Sequence, residues 1–100
     1  MREQRYDLVL ESPMGERSGT LRLRLQDGVV TGVLTLLGYE NEVAGTVSGA
    51  GELRLFHPLR SSRSTFSCES VLRERDGGLF GRVRTEWGSW NCRGTLKGAE

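Results

Sequence analysis

Apolar and polar residues alternate one by one along most of this chain. The segments Leu21–Leu25, Leu53–Leu55 and Leu79–Val83 have this period of two, which places successive side chains on opposite faces of a β-strand. No stretch carries the apolar stripe of an amphipathic helix with capping residues at its ends. The pattern predicts eight strands, at about residues 5–11, 19–25, 29–37, 42–48, 52–57, 64–74, 79–85 and 90–97.

Every predicted strand is followed by a short connection, so neighbouring strands should pair antiparallel in an up-and-down meander. Eight such strands can close into a barrel, which removes the exposed edges of an open sheet. The sequence therefore predicts an all-β fold, an eight-stranded antiparallel meander barrel. A two-sheet sandwich is the alternative.

The chain also repeats itself. Residues 8–47 return, imperfectly but in order, as residues 53–96, and the Asp27–Gly28 step returns as Asp76–Gly77. Each copy is too small to bury a core alone. Two four-strand repeats should therefore close on each other into one body.

This body is predicted to be a single domain over residues 1–100, with repeats at about 6–49 and 51–98. Glycines recur at equivalent strand positions, where they relieve crowding between strands that coil around a small barrel. These glycines are Gly19, Gly32, Gly45, Gly81 and Gly94.

The connections differ between the two ends of the predicted barrel. Those after even-numbered strands have the residues of tight hairpin turns, such as Asp27–Gly28. Those after odd-numbered strands are predicted to be longer and to carry Met14, Tyr39 and Trp87. All odd-to-even connections of an up-and-down barrel lie at one end, so this end is the expected place for a binding site.

Charge and cysteine content narrow the possible functions. The 14 basic and 13 acidic residues nearly cancel, which argues against a nucleic-acid partner. No apolar run approaches the ~20 residues of a membrane span, and the N-terminus lacks the apolar core of a signal peptide, so we expect no membrane partner and cytoplasmic residence. Cys68 and Cys92 lie two predicted strands apart, so we expect free thiols. With one histidine and no Cys-x-x-Cys pair, we expect no metal site, and we expect no cofactor.

The segments Ser12–Gly15, Gly19–Leu21 and Asp27–Leu34 are similar to those of a group of small, mostly uncharacterised bacterial barrels. These barrels carry a Thr-Pro-Met-Gly loop and a Gly-x-x-Leu-Ser-Gly-x-Leu strand opening, and they resemble lipocalins and avidins in architecture. The resemblance implies the fold and not the activity. The chain departs from the pattern at His57–Arg60 and Thr85–Gly88, where we expect its own chemistry.

Strand parity also assigns the interior of the barrel. Large apolar residues fill its body, while inward positions toward the end with Trp87 become polar or aromatic. An apolar interior that opens at a polar and aromatic end fits a small-ligand pocket, although narrow eight-stranded barrels are often filled by their own side chains. The predicted ligand-binding residues are Ser12, Tyr39, Asn41, His57, Arg60, Thr85, Trp87 and Trp90.

Some of these residues also have simpler interpretations. His57 is the only histidine and a weak candidate for acid–base catalysis, but it also fits a strand-end residue that hydrogen-bonds a neighbouring loop. Arg60 can clamp a carboxylate or a phosphate, or it can lie in a solvated loop. Trp87 and Trp90 can cap and line a pocket, or simply pack as a lid. No catalytic motif rises above background, so the catalytic residues stay unknown.

Three functions remain open at this point. The leading hypothesis is a binding barrel for a small apolar or aromatic ligand that enters at the end with Trp87. The second is a barrel enzyme of the cyclase or isomerase type, in which positioning and His57 suffice. The third is a structural or interaction protein that uses its outer surface. The first two require a cavity, whereas the third predicts a filled barrel.

The third predicted strand carries apolar residues on both faces. Val29, Val33 and Leu37 have the opposite parity to Val30 and Leu34, so one of the two sets must face outward. An apolar outward stripe among charged neighbours usually marks an interface. The sequence therefore predicts a homodimer through Val29, Val33 and Leu37, with ordinary surface valines as the alternative.

Overall fold

A computed structural model describes residues 2–13 and 15–99 of this chain. This part of the chain contains strands and turns but no helix, and therefore no helix long and apolar enough to cross a membrane. The strands are β1 (Arg2–Ser12), β2 (Gly15–Gln26), β3 (Val29–Leu36), β4 (Tyr39–Val47), β5 (Glu52–Arg60), β6 (Thr65–Arg75), β7 (Gly78–Thr85) and β8 (Gly88–Ala99).

The strands form one closed barrel in chain order, and β8 pairs back to β1. Every neighbouring pair is antiparallel. The predicted up-and-down barrel is confirmed, and the sandwich alternative is wrong.

The two ends of the barrel are named here by one residue each. The Trp87 end carries the turns after β1, β3, β5 and β7, and the Asp27 end carries those after β2, β4 and β6. The predicted difference in loop length is wrong, because each end has one four-residue connection, 61–64 or 48–51, and otherwise two-residue connections. Residues interpreted as loop extend the strands instead, as Glu16 does by pairing with Glu11. Met14 lies outside the described residues.

Inward side chains fill the barrel in the way that strand parity predicts. Val30, Leu23 and Leu79 are completely buried, and Leu55 and Tyr6 are 1% exposed. Val47, Phe66, Trp90 and Leu96, also predicted to point inward, are partly buried and pack against this core toward the barrel ends. The apolar core therefore runs through the whole barrel.

The strand-centre glycines allow the strands to approach each other closely. A Cβ atom at Gly32 would collide with the carbonyl oxygen of Arg22, and one at Gly81 would collide with that of Val71. Neither neighbour can move without shifting its own strand, so only glycine fits. The predicted role of these glycines is confirmed, and the tight coiling leaves a narrow interior.

Corresponding turns of the two sequence copies share their geometry. Asp27–Gly28 has φ values of 53° and 78°, and Asp76–Gly77 has values of 51° and 77°. These left-handed pairs are typical of two-residue hairpin turns. In each, the glycine carbonyl accepts an N–H from a later strand, that of Val47 or of Leu96.

Candidate functional site

A histidine and a serine form a hydrogen-bonded pair inside the barrel. His57 on β5 and Ser70 on β6 are both buried, and 2.7 Å separates His57 Nε2 from Ser70 Oγ. His57 Nδ1 lies 2.8 Å from the carbonyl oxygen of Pro58. Because a carbonyl oxygen only accepts, Nδ1 carries the proton and Nε2 accepts the hydroxyl proton of Ser70.

Burial keeps this pair neutral. Removal from water lowers the pKa of His57 below its ordinary value of 6.5, although the hydrogen bond to the Pro58 carbonyl acts in the opposite direction. A neutral imidazole that accepts a serine proton activates a nucleophile when the site is open to substrate. Here apolar side chains enclose both groups, so the pair is a satisfied polar contact within the core.

The cavity beside His57 and Ser70 is small. Its volume is about 20 Å³, and its walls come from all eight strands, mainly from leucine side chains. One water molecule needs about 10–15 Å³ on this measure, whereas ligand pockets typically measure about 300–1,000 Å³. The position expected for a ligand is therefore filled by the protein's own side chains.

Asn41 closes the barrel wall at the Trp87 end. The β4–β5 ladder ends at Ala44 and Phe56, so Pro58 lies at a local edge, where a residue without an N–H is tolerated. The fully buried Asn41 side chain spans the gap. Its Oδ1 accepts the N–H of Arg60 at 2.9 Å, and its Nδ2 donates to a β3 carbonyl at 3.0 Å. Two predicted ligand residues thus meet, but they hold strands together.

Ser12 and Thr85, also predicted to bind ligand, stabilise turns. Ser12 Oγ donates to the carbonyl of Gly15 at 2.7 Å. Thr85 Oγ1 donates to the carbonyl of Gly88 at 3.0 Å and accepts the N–H of Trp87 at 3.0 Å. Both hydroxyls therefore shape the Trp87 end.

The three aromatic residues predicted for the site lie around its rim. Trp87 is on the β7–β8 turn and 73% exposed, and Tyr39 begins β4 and is also exposed. Trp90 is partly buried and packs against the core. The structure therefore does not gather these residues around one pocket with His57.

Sequence reasoning missed two polar contacts of the interior. Ser70 lies between Cys68 and Leu72 with the same parity, so alternation alone identifies it as inward. At the Asp27 end, the buried Tyr6 hydroxyl donates to Gln4 Oε1 at 3.1 Å, and burial raises the pKa of Tyr6 to about 12. Gln4 precedes the predicted first strand, so the pattern gave no signal for it.

Cys68 and Cys92 are free and buried, as predicted. They lie on β6 and β8, with β7 between them. Burial raises the pKa of each thiol to about 11, so neither has thiolate character at neutral pH. Among the described residues, no cluster of three or more histidine, cysteine, aspartate or glutamate side chains is arranged to hold a metal ion.

One row on the outer surface places an apolar residue between two opposite charges. Val33 on β3 faces outward and is paired in register with Arg22 on β2 and Glu42 on β4. Within the described chain, neither Arg22 nor Glu42 forms an ion pair. Several other outward charges form ion pairs. Those between strands are Glu3–Arg24, Asp7–Lys97, Arg93 with Glu11 and Glu16, Glu52–Arg73, and Glu69 with Arg54 and Arg84, and Glu52 also pairs with Arg54 within β5.

The chain matches no protein-family model and no curated protein. The structure supports the barrel fold, while membership in the group of small bacterial barrels stays a prediction.

Proposed function

We propose that this protein is an interaction barrel that forms a homodimer through the outer face of β3. The β3 stripe is defined here as Val29, Val33 and Leu37. The observation that carries the proposal is the row in which Val33 lies between the oppositely charged Arg22 and Glu42, neither of which forms an ion pair with a residue in 2–13 or 15–99. The proposal places the barrel in the cytoplasm, where free thiols persist.

The filled interior favours this function over the two that require a chamber. A ligand or substrate of ordinary size needs at least ten times the volume of the cavity beside His57, which is about 20 Å³. A binding or enzymatic barrel would have to expel several leucine side chains before it bound anything. An interaction protein needs only a rigid scaffold, which a tightly packed barrel supplies.

The charged row is complementary to itself under two-fold symmetry. A two-fold axis parallel to β3, lying between two such faces, exchanges the β2 and β4 sides. Arg22 of each copy then faces Glu42 of the other, around a central contact between the two Val33 side chains. Closed dimers require such a self-complementary patch.

The sizes of the side chains fit this arrangement. Val33 lies at the centre of the row, Arg22 and Glu42 lie one strand away, about 4.8 Å to either side, and all three line a surface depression of about 630 Å³. The long side chains of Arg22 and Glu42 can reach beyond this depression to the partner copy. A standard interface of about 800 Å² per partner would occupy roughly an eighth of the 6283 Å² surface, which three of the eight strands can provide.

Leu37 gives independent support for an interface at this face. It opens the β3–β4 turn with a φ of 57°, a left-handed conformation that costs a residue of this type about 1–2 kcal/mol. Asp27 and Asp76, which tolerate that conformation better, hold the same position in two other turns. Leu37 is nonetheless 44% exposed. A strained and exposed leucine fits a contact with another chain.

Charge reversal tests the dimer. In sedimentation velocity at micromolar concentration, we expect the wild type to be dimeric, and Val33→Asp, Arg22→Glu and Glu42→Arg each to be monomeric. The double variant Arg22→Glu with Glu42→Arg should dimerise again, because it exchanges the two charges. Arg82→Glu on β7 is the matched control and should stay dimeric. A monomeric wild type, or single variants that all remain dimeric, would refute the proposal.

A hydrophobic fluorescent dye tests the competing ligand function. We expect no fluorescence increase with the folded protein, because the cavity inside the barrel, about 20 Å³, has room for no more than about one water molecule. Dye binding that Trp90→Ala weakens more than Arg82→Ala would place a ligand pocket at the Trp87 end instead.

A further inference from the structure

We infer that the outer face of β7 binds a short segment of another protein that carries both acidic and apolar side chains. This face lies four strands from the β3 stripe in a barrel of eight, so the inference goes beyond self-association and does not depend on it. The β7 face is defined as Phe80 and Arg82 with their register neighbours Val71, Arg73, Asn91 and Arg93.

Phe80 provides the apolar anchor of this face. Its side chain is 50% exposed, and its register neighbours are Arg73 on β6 and Arg93 on β8. The equivalent position of the first sequence copy holds Thr31, so the barrel does not need an aromatic ring there. Aromatic residues, phenylalanine included, and arginine are enriched at protein–protein interfaces relative to the rest of the surface.

Arg82 provides a cation without a partner. Arg73 donates to Glu52 at 2.9 Å, and Arg93 donates to Glu11 at 2.7 Å. The exposed Arg82 forms no ion pair and no side-chain hydrogen bond with any described residue. Its guanidinium group can therefore donate two parallel hydrogen bonds to a carboxylate of a partner, which is the geometry that arginine favours.

The surface around these two residues is concave. Gly81 draws β7 close to β6, and depressions of about 390 Å³ and 530 Å³ lie on either side of this strand. Phe80, Gly81 and Arg82 line both depressions. A peptide that crosses β7 can therefore place one side chain in each depression and contact Phe80 and Arg82 between them.

The glutamates that border the β7 face favour a peptide over a nucleic acid. Glu52 and Glu69 lie on its β5–β6 side, and Glu11 and Glu16 lie beyond β8. A continuous phosphate backbone would meet these carboxylates on both sides, whereas a short segment with one or two carboxylates fits between them. Proteins that bind single-stranded nucleic acids stack successive bases on several aromatic rings, whereas the β7 face as defined has a single aromatic ring, that of Phe80.

A phage-displayed library of random peptides, selected on the wild-type protein, identifies the preferred chemistry. We expect enrichment of peptides that combine aspartate or glutamate with leucine or an aromatic residue. The best peptide is then labelled with fluorescein and titrated by fluorescence polarisation against wild type, Arg82→Glu, Phe80→Thr and Arg63→Glu. Phe80→Thr gives the second copy the residue that the first copy has. Arg63 is exposed on the β5–β6 connection and belongs to neither proposed face, and Arg63→Glu changes the net charge as Arg82→Glu does.

Arg82→Glu and Phe80→Thr should each weaken binding about tenfold or more, and Arg63→Glu should leave it unchanged. The monomeric Val33→Asp variant should bind as wild type does, which separates this inference from the dimer. Equal weakening by Arg63→Glu and Arg82→Glu, no enrichment of acidic and apolar peptides, or tighter binding of a short single-stranded RNA than of the selected peptide would each overturn the inference.

Discussion

The buried pair of His57 and Ser70 makes the stability of this barrel depend on pH in a defined direction. In the folded protein the pKa of His57 lies below its ordinary value, because charging the ring would bury a cation among leucine side chains. In the unfolded chain the pKa returns to about 6.5. Above that pH neither state binds the proton. Below pH 6.5, His57 binds a proton in the unfolded state but stays neutral in the folded state, so the free energy of unfolding falls as the pH falls.

The size of the effect follows from one proton. Each unit of pH below about 6.5 lowers the free energy of unfolding by up to about 1.4 kcal/mol, until the pKa of the folded state is reached. Domains of this size have total stabilities of about 5–15 kcal/mol, so the loss is readily measured. No other histidine contributes, because His57 is the only one in the chain.

Replacing both partners together is the sharpest perturbation of this pair. His57→Leu with Ser70→Ala removes donor and acceptor at once, so we expect stability at pH 7 within about 1 kcal/mol of wild type. Ser70→Ala alone leaves His57 Nε2 buried without a donor and should cost about 1–3 kcal/mol. The double variant should also lose the pH dependence between pH 7 and pH 5.

Urea denaturation at pH 5, 6, 7 and 8, followed by tryptophan fluorescence at one protein concentration, measures these free energies. The informative quantity is the difference between wild type and the double variant, because every other titrating group is common to both proteins. A wild type that is equally stable at pH 5 and pH 7, or a double variant that loses as much stability as wild type, would show that His57 is not held neutral by the core.

Two further predictions concern packing and thiol chemistry. Gly81→Ala should lower the free energy of unfolding by at least about 2 kcal/mol in urea denaturation, because the new Cβ atom would collide with the Val71 carbonyl oxygen. Gly49→Ala is the control: nothing lies within 4 Å of its new Cβ atom, so the free energy of unfolding should change by less than about 0.5 kcal/mol. Equal effects of the two substitutions would contradict the argument from close strand approach. Iodoacetamide should leave Cys68 and Cys92 unmodified in the native protein at pH 8 and alkylate both after denaturation, because burial raises the pKa of each thiol to about 11. Mass spectrometry counts the modified cysteines. Rapid labelling of the native protein would mean that the core opens.

Alternation predicted the fold because the barrel buries one face of every strand. Leu21, Leu23 and Leu25 are all buried, while Arg22 and Arg24 between them are exposed. The glycines were equally informative, since Gly32 and Gly81 lie where the next strand leaves no room for a Cβ. These features depend on local geometry, which a single sequence contains.

The candidate site was predicted less well because its outcome depends on packing across the barrel. Parity placed His57 inside, but it gives no information on whether the cavity beside it is empty or filled. Loop length was also misleading, because polar residues such as Glu16 and Glu40 continue ladders at the Trp87 end. The partner of Asn41, the N–H of Arg60, comes from a strand end that the sequence pattern treats as loop.

The internal repeat connects the fold to both proposed interfaces. The two copies keep the residues that the barrel requires, such as Gly32 and Gly81, because any side chain there collides with a neighbouring strand. Next to those glycines the outward residues differ, with Val33 in the first copy and Arg82 in the second. Outward positions carry little of the folding energy, so they are free to take up different contacts. One copy can therefore serve self-association while the other, on the opposite side of the barrel, remains exposed in the dimer to bind a different chain.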